Sequence, residues 1–325
     1  MGDVTGRLGL WELDMERERF LAESLSNNTR RTYATGVRQY RRFCAEVGAE
    51  PFPLRQRILE LFSVSLARRV GHQTIKVYLS GVQVDGILRG GTALIREMHG
   101  LRYLIRGIKR AQGSAHRRLP RIPVSIEMLR AVLGGIHRFH SGGDALMLSA
   151  AVQLAFFGML RASEYTAPGF RTWTPSQTLS IRDVVVHWEA GVVVVGLKVS
   201  KTDPFRCGAT VRVCATGADV CPFLAMVRYL PVRGPVEGPL FVFRDGAFLT
   251  RNHVAEILHR FAPFHNVNTH SLRQGGATAL AHMGVPPYVI QSLGRWSSDA
   301  YRRYIGLSDE FLIRVQRGMA RGGGQ

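Results

Sequence analysis

A short segment rich in proline and arginine divides this sequence into two parts with different periodicities. Residues 113–125 read GSAHRRLPRIPVS. Proline interrupts helices and strands, and glycine and serine add backbone freedom, so this segment predicts an extended connection. A chain of 325 residues is long enough for two domains of ordinary size. We therefore expect residues 113–123 to form a basic linker between two domains.

The part before the linker has the pattern of an all-helical domain. Apolar residues recur at helical spacing from Asn28, where Asn28 or Thr29 is the expected cap. Further helices are predicted over 55–69, from Thr74 onwards and over 92–111. Residues 1–20 have no comparable pattern and predict a loosely held, flexible arm. The sequence thus predicts a compact helical domain over residues 21–112.

The part after the linker, residues 124–325, has mixed patterns that end in a short polar tail. Three strand-like segments, at 179–188, 192–199 and 209–214, predict a small antiparallel meander. Helical patterns surround them at 126–139, 143–157, 221–229, 250–261, 270–283 and 287–293. The predicted fold class is α+β, with an all-α N-terminal domain and a mostly helical second domain that contains a small antiparallel β-sheet.

The charge of the chain favours a polyanionic partner. Lysine and arginine number 43 against 24 acidic residues, for a net charge of +19. Nucleic acid is the first candidate partner and an anionic membrane surface the second. No apolar run approaches the roughly 20 residues that span a bilayer, and the N-terminus has no secretory signal pattern. With only four cysteines, the chain also lacks a disulfide framework. We expect an intracellular location, nuclear in a eukaryote and otherwise with DNA in the cytoplasm.

A stripe of cations runs along the predicted helix before the linker and continues into the linker itself. A solvated helix surface is the plainer interpretation, but no acidic residue interrupts the linker part. We favour a surface that follows the phosphates of double-stranded DNA. Its predicted members are Arg102, Arg106, Lys109, Arg110, Arg117, Arg118 and Arg121.

In two segments of the second part, one basic residue is expected where a helix or a strand ends. In FFGMLRASE, at 156–164, an apolar helix is expected to end in Arg161, with Glu164 three positions later. In VSKTDPFRCG, at 199–208, Lys201 is expected in the turn after a strand. Lys198 is a weaker rival because it is expected to point from the middle of that strand. Each segment alone is weak, since arginine at helix ends and lysine in turns are common.

Two further segments each contain several side chains that could take part in catalysis. In NTHSLRQGGATALAHMG, at 268–284, Asn268 or Thr269 can cap a helix that places His270 and Arg273 in its first turn, where anions bind. The adjacent glycines at 275–276 favour close packing or close backbone approach. The segment LGRWSSDAYRRYIG, at 293–306, contains an indole and two phenols among three arginines: Trp296, Tyr301, Tyr304, Arg295, Arg302 and Arg303.

Together these residues suit phosphoryl transfer without a metal. Arginines stabilise the charge on the phosphate oxygens in the transition state. A phenol, with a reference pKa of about 10, needs cationic neighbours to attack at neutral pH. A lysine can protonate the departing oxygen. No carboxylate cluster occurs in these segments, so a metal-dependent nuclease is disfavoured, and no cofactor is expected.

This ordered set, with its two-domain layout, resembles the tyrosine recombinase (phage-integrase) family over nearly the whole chain. The segments SKTDPFRCG and LGRWSSDAYRRYI look closest to recombinases of eukaryotic mobile elements, the cryptons and DIRS-like retroelements. The resemblance implies that the first domain is a core-binding domain and the second is catalytic. It implies the catalytic set Arg161, Lys201, His270, Arg273, Trp296 and Tyr304, with Glu164 as an accessory residue.

The resemblance also implies a reaction and an assembly. The tyrosine attacks a scissile phosphate, forms a 3′-phosphotyrosyl link and releases a 5′ hydroxyl that attacks a partner strand. Neither ATP nor Mg²⁺ is required. The expected partner is double-stranded DNA, bound by a homotetramer at the synapse and by a monomer or dimer otherwise, in the integration or excision of a mobile element. No membrane partner is expected.

Three alternatives stay open in the sequence. Tyr304 follows Trp296 by eight positions, one fewer than in the best-known bacterial members, so Tyr301 is a rival nucleophile. A type IB topoisomerase would use nearly the same residues to relax supercoils. A domesticated, non-cleaving DNA-binding protein would keep the fold and the charge without the chemistry.

Overall fold

The computed structural model describes residues 9–113, 121–198, 208–263 and 266–303, together with residues 313, 316 and 317. The chain forms two compact units, Met1–Arg118 and Leu119–Gln325. Their boundary falls inside the segment predicted to be a linker, of which residues 114–120 lie outside the described part. No helix in the described ranges is both long and apolar enough to cross a membrane.

The first unit is helical throughout its described residues. Its helices are α1 (Leu10–Glu23), α2 (Asn27–Glu46), α3 (Gln56–Ala67), α4 (His72–Leu88) and α5 (His99–Gln112). Two sequence-based expectations differ from this. Most of the arm predicted over residues 1–20 is helix α1, on which Leu10 and Trp11 are exposed. The helix predicted over 92–111 begins later, because only a 3₁₀ turn, Ile95–Glu97, forms before α5.

The N-cap of helix α2 lies two or three residues before the cap expected from the sequence. Ser26, rather than Asn28 or Thr29, is the N-cap, and its hydroxyl accepts a hydrogen bond from the Thr29 backbone NH at 3.2 Å. Helices α2 and α4 then cross closely at a glycine on each side. A β-carbon on Gly36 or on Gly81 would lie 2.8 Å from a backbone α-carbon of the opposite helix. Small residues at the crossing therefore set how near these two helices pack.

The second unit is mostly helical with one small sheet, which confirms the predicted fold class. Its elements are α6 (Ile126–Phe139), α7 (Gly142–Phe157), α8 (Ala162–Tyr165), β1 (Val184–His187), β2 (Val192–Leu197), β3 (Ala209–Cys214), α9 (Pro222–Arg233), α10 (Arg251–Phe261), α11 (Thr269–His282) and α12 (Pro287–Leu293). The sheet is an antiparallel meander in the order β1, β2, β3, with Val184 opposite Val195 and Val192 opposite Cys214. One face of the sheet, including Val193, Val195 and Val211, is buried.

Strand β1 is shorter than the predicted 179–188. The Asp183 carboxylate accepts hydrogen bonds from the backbone NH and the hydroxyl of Ser180, both at 2.7 Å. This local side-chain bonding closes a 3₁₀ turn over Ile181–Asp183, which competes with an extended backbone there. The strand therefore begins only at Val184.

Helix α7 is the centre of the second unit. Eleven of its 16 residues are buried, and it packs against α6, α9 and α11. Helix α11 approaches α7 through Gly276, where a β-carbon would collide with the Phe156 carbonyl oxygen. At Gly275 a β-carbon would collide with the Val124 carbonyl oxygen. The close packing expected of this glycine pair is confirmed, and it brings the start of α11 next to the chain that follows α7.

Candidate active site

A cleft of about 880 Å³ in the second unit brings together three arginines and a histidine from four separate segments. Arg161 and His270 line it, and both belong to the set predicted from the sequence. Arg121, the last member of the predicted cation stripe, lines it as well, and so does Arg251 at the first position of α10. Hydroxyl groups such as that of Thr250 complete the wall. The cleft thus has the charge and the hydrogen-bonding groups that an anion such as a phosphodiester requires.

Arg161 does not end helix α7, as the sequence led us to expect. The helix ends at Phe157, and Arg161 is the residue before the short helix α8. Its backbone NH donates to Glu164 Oε2 at 2.8 Å, and its guanidinium donates to Glu164 Oε1 at the same distance. The i, i+3 spacing of Arg161 and Glu164 is therefore a capping interaction that turns the arginine toward the cleft.

Glu164 joins two guanidinium groups. Its side chain is 2% exposed, and it accepts from Arg161 and, at 3.1 Å, from Arg295. Burial lowers the pKa of the Arg295 guanidinium from its ordinary value, while the Glu164 carboxylate beside it acts in the opposite direction. A buried carboxylate with an arginine on each side is a paired charge, which the low-dielectric interior tolerates.

His270 lies in the first turn of α11, which Asn268 caps by accepting from the His270 backbone NH at 2.9 Å. Of the two caps that the sequence allowed, Asn268 is the one used. Burial and, to a smaller extent, the positive charges of Arg273, Arg121 and Arg161 together lower the pKa of the His270 imidazole to about 4. His270 is therefore neutral at pH 7 and can donate or accept a hydrogen bond in the cleft.

Arg273 is placed differently from His270, although both start α11. Its side chain is fully buried, and its guanidinium donates to the carbonyl oxygens of Met159 and Gly294. The guanidinium carbon also lies 4.3 Å from the ring centroid of Trp296. Arg273 is not among the residues that line the cleft. It holds together the backbone on two sides of the site.

Trp296 and Tyr301 pack on each other behind Arg273. Their ring centroids are 6.2 Å apart, and Tyr301 is 5% exposed. A phenol in this environment is a packing residue, which weakens Tyr301 as a rival nucleophile. Tyr304 lies outside the described residues.

The two candidate lysines also differ. Lys198 follows the last residue of β2, rather than pointing from the middle of the strand. Its ammonium lies 2.8 Å from Asp183 Oδ2 and donates to the Pro175 carbonyl oxygen at 2.8 Å. These bonds give Lys198 a structural role beside the turn that precedes β1. Lys201 lies outside the described residues.

Part of the predicted cation stripe is visible in the first unit. Arg102, Arg106, Lys109 and Arg110 are exposed on α5. Arg102 and Arg106 also line a groove of about 490 Å³ with Lys76 and Gln83 of α4. Arg117 and Arg118 lie outside the described residues. The position of the α5 cations is compatible with phosphate contacts, and their role in binding remains a prediction.

Sequence reasoning missed two arginines, Arg251 and Arg295. Arg251 had a usable signal, because Thr250 is a good N-cap and the residue after a cap lies at a positive helix end. Arg295 was seen only as one basic residue near Trp296, since its partner Glu164 is 131 positions away. Within the described ranges, no group of three or more His, Cys, Asp or Glu side chains is arranged to hold a metal ion.

The fold of this chain is that of the tyrosine recombinases and integrases. Three solved structures carry this comparison. XerH site-specific recombinase, bound to palindromic difH substrate in a post-cleavage complex, has a TM-score of 0.63 and 17% identity, covering 88% of this chain and 78% of that chain. Tn1549 transposon integrase in complex with transposon right end DNA has a TM-score of 0.61 and 13% identity, covering 92% and 95%. A lambda integrase dimer bound to a COC′ core site has a TM-score of 0.59 and 13% identity, covering 90% and 94%.

At these identities the likeness defines the fold alone. No family model matches the sequence, and no curated protein matches it. The expected closeness to crypton and DIRS-like recombinases therefore stays a prediction.

Proposed function

We propose that this chain is a site-specific DNA recombinase that breaks and rejoins strands through a tyrosine. The observation that carries the proposal is the cleft in which Arg161 and His270 meet Arg121 and Arg251. It occurs in a fold whose solved examples include recombinases and integrases bound to DNA. The net charge of +19 suits the same polyanionic partner.

Each group of the cleft has a distinct part in the proposed reaction. Arg161 neutralises the non-bridging oxygens of the scissile phosphate, on which charge accumulates in the transition state. His270, whose pKa is lowered to about 4, is neutral and donates a hydrogen bond to the same phosphate. Arg121 and Arg251 bind the phosphates on either side and fix the position of the strand.

Tyr304 is the proposed nucleophile, and Lys201 the proposed general acid. The burial of Tyr301 against Trp296 supports Tyr304, because a phenol that packs on another ring is less accessible to a phosphate. The ties of Lys198 to Asp183 and Pro175 support Lys201 in the same way. The Tyr304 oxygen bonds to the scissile phosphorus and the phenolic proton passes to solvent. The bond from phosphorus to the 5′ oxygen breaks and Lys201 protonates that oxygen, which gives a 3′-phosphotyrosyl ester and a free 5′ hydroxyl.

The proposed biological setting is the integration or excision of a mobile element. Arg273 acts in this reaction from behind the cleft, by fixing the backbone at Met159 and Gly294. Binding of duplex DNA by Arg102, Arg106, Lys109 and Arg110 of the first unit belongs to the same proposal, as does a homotetramer at the synapse.

The test has two stages, because the target site must first be found. Sheared genomic DNA of the source organism is incubated with the chain, detergent is added, and the DNA that stays attached to protein is sequenced. A duplex with the recovered site is then nicked next to the cleavage position, so that the short product diffuses away and the ester accumulates. We expect a detergent-resistant adduct that forms in excess EDTA.

The variants Y304F and Y301F identify the nucleophile in that assay. Y304F should bind DNA and form no adduct, while Y301F should still form it. Adduct in Y304F but not in Y301F would reassign the nucleophile. DNA binding without adduct in the unaltered chain would favour a non-cleaving DNA-binding protein.

A further inference from the structure

The backbone at Arg295 has a conformation that arginine rarely adopts. Two non-glycine residues of the described ranges have a positive φ, Met159 at 45° and Arg295 at 55°. They are far apart in sequence and in direct contact, because Arg295 Nη2 donates to the Met159 carbonyl oxygen at 3.1 Å. Such backbone conformations cost free energy and persist where the surrounding structure enforces them, often at functional sites. Glycine would occupy position 295 with less strain.

The guanidinium of Arg295 has acceptors that glycine could not use. Nη1 donates to the Gly158 carbonyl oxygen at 3.1 Å, and Nη2 donates both to the Met159 carbonyl oxygen and to Glu164 Oε2 at 3.1 Å. Gly158 and Met159 lie on the chain that leads from α7 into Arg161, and Glu164 lies in α8 directly after it. The Arg295 side chain is 13% exposed and is not among the residues that line the cleft. These three bonds therefore support Arg161 from outside the cleft.

We propose that Arg295 is a positioning residue that holds Glu164, and through it Arg161, in the geometry needed to contact a phosphate in the cleft. This inference rests on the proposed function and assigns a role within it. Arg295 and Arg161 share one carboxylate, with Arg161 Nη1 on Oε1 and Arg295 on Oε2. Oε2 also accepts from the Arg161 backbone NH at 2.8 Å. Without Arg295, the carboxylate loses the one of these donors that comes from a distant segment, so the angle at which it holds the Arg161 guanidinium is less well fixed.

A second role follows from the same contacts. Arg273 donates to the carbonyl oxygen of Met159, which is also an acceptor for Arg295. Two guanidinium groups therefore fix one carbonyl, and with it the chain between α7 and Arg161. A bidentate, planar group suits several acceptors at fixed angles, which a single ammonium group cannot reproduce.

The test compares R295G with R295A in single-turnover adduct formation on the nicked duplex at saturating concentration. Glycine relieves the strained φ and alanine retains it, so the two variants separate backbone strain from the lost guanidinium. We expect both to form adduct roughly 10 to 100 times more slowly than the unaltered chain, because misplacing a catalytic group by about 1 Å costs up to this much. DNA affinity should stay within about threefold, since Arg295 does not line the cleft. The rate of adduct formation by R295K should lie between those of R295G and the unaltered chain.

R182A is the matched control, because Arg182 is 74% exposed and pairs at 3.3 Å with the exposed Glu237. Its rate should stay within about twofold of the unaltered chain, as exposed ion pairs contribute little. Thermal melting of every variant reports on folding, and R295G should melt no lower than R295A.

The double variant E164Q/R295G tests the route through Glu164. If Arg295 acts through Glu164, adding R295G to E164Q should slow the reaction by about twofold or less, instead of multiplying the two losses. Multiplied losses would overturn the route through Glu164 and assign the effect of Arg295 to its bonds with the Gly158 and Met159 carbonyl oxygens. An R295G rate within about twofold of the unaltered chain would overturn the role of Arg295 while leaving the proposed function intact. No adduct from the unaltered chain would overturn the proposed function itself, and the role of Arg295 with it.

Discussion

Arginine has opposite roles in the cleft and in the buried network behind it, which consists of Arg273, Arg295 and Glu164. Arg121 and Arg251 are exposed in the wall of the cleft. Arg273 is fully buried and Arg295 nearly so, with their guanidinium groups on backbone carbonyls. An exposed cation keeps its hydration until a ligand arrives, whereas a buried one must have its hydration replaced by fixed acceptors. Exposed arginines of the cleft are thus available to bind a ligand, whereas the buried arginines stabilise the fold.

Arg161 and His270 stand between these two regions. Each lines the cleft, and each is fixed from behind, Arg161 by Glu164 and His270 by the Asn268 cap of α11. Preorganised groups of this kind stabilise charge without reorganising during the reaction. The comparison predicts that changes in the buried network alter stability, while changes in the cleft wall alter binding.

The largest effect is expected for Arg273→Met. The substitution removes the Arg273 donor from the carbonyl oxygens of Met159 and Gly294; Met159 keeps Arg295 as a donor, whereas Gly294 loses its bond to Arg273 in the interior. We expect the free energy of unfolding to fall by about 2–4 kcal/mol, since a buried acceptor left unsatisfied costs roughly 1–3 kcal/mol and the lost contact of the guanidinium with the Trp296 ring adds about 1 kcal/mol. Urea denaturation measures this. A loss below about 0.5 kcal/mol would contradict the distinction between buried and exposed arginines, because Arg273 would then behave as a surface arginine.

The next effect concerns how closely α11 packs on α7. Gly276→Ala places a methyl group against the Phe156 carbonyl oxygen, which is backbone and cannot rotate away. A loss of about 1–3 kcal/mol in the free energy of unfolding is expected from overpacking. Gly134→Ala in α6 is the control, as nothing lies within 4 Å of the added carbon. It should stabilise the chain by up to about 1 kcal/mol, and equal effects at both positions would contradict the packing argument.

Arg251→Gln tests the cleft wall. Its free energy of unfolding should stay within about 0.5 kcal/mol of the unaltered chain, as for other exposed positions. Affinity for a short duplex of arbitrary sequence should fall, and the slope of log K against log salt should shrink by about 0.9. Titrations at several salt concentrations give both values. An unchanged slope would remove Arg251 from the phosphate contacts.

The last effect is the pH dependence caused by His270. Its pKa is about 4 in the folded chain and near the ordinary 6.5 when unfolded. The unfolded chain therefore binds more protons between these values, so this contribution to stability is complete above about 6.5 and is lost as the pH falls toward 4. Denaturation of H270Q and the unaltered chain at pH 7, 5.5 and 4.5 should show their difference shrinking with acid. A difference that grows with acid would mean that the folded pKa is raised.

The order of elements was predictable from the sequence because each has a strong local pattern. The bounds of α6 and α12 match their predicted ranges, and the glycine pair of α11 packs as expected. Errors arose where side chains bond locally to backbone. Ser180 and Asp183 shorten β1, Ser26 caps α2, and Glu164 makes Arg161 the start of a helix instead of an end.

Within the site, residue types were predictable and their roles were only partly so. His270 and Arg161 reach one cleft, as a single set of residues would require. Arg273 follows His270 by three positions in α11, and no feature of the sequence pattern indicates that it points into the interior. The partners of Arg295 lie more than 130 positions away, and only the fold brings them together.

The most direct test of the whole account is to find which side chain carries the DNA. The trapped adduct is digested with nuclease and then trypsin, and its peptides are analysed by mass spectrometry. Cleavage after Arg295, Arg302 and Arg303 separates the two tyrosines, with Tyr301 in the peptide 296–302 and Tyr304 in the peptide 304–314. The account predicts a nucleotide mass on 304–314 and an unaltered 296–302. A nucleotide on 296–302 would contradict the structural role of Tyr301, and a nucleotide on neither peptide would contradict the tyrosine mechanism.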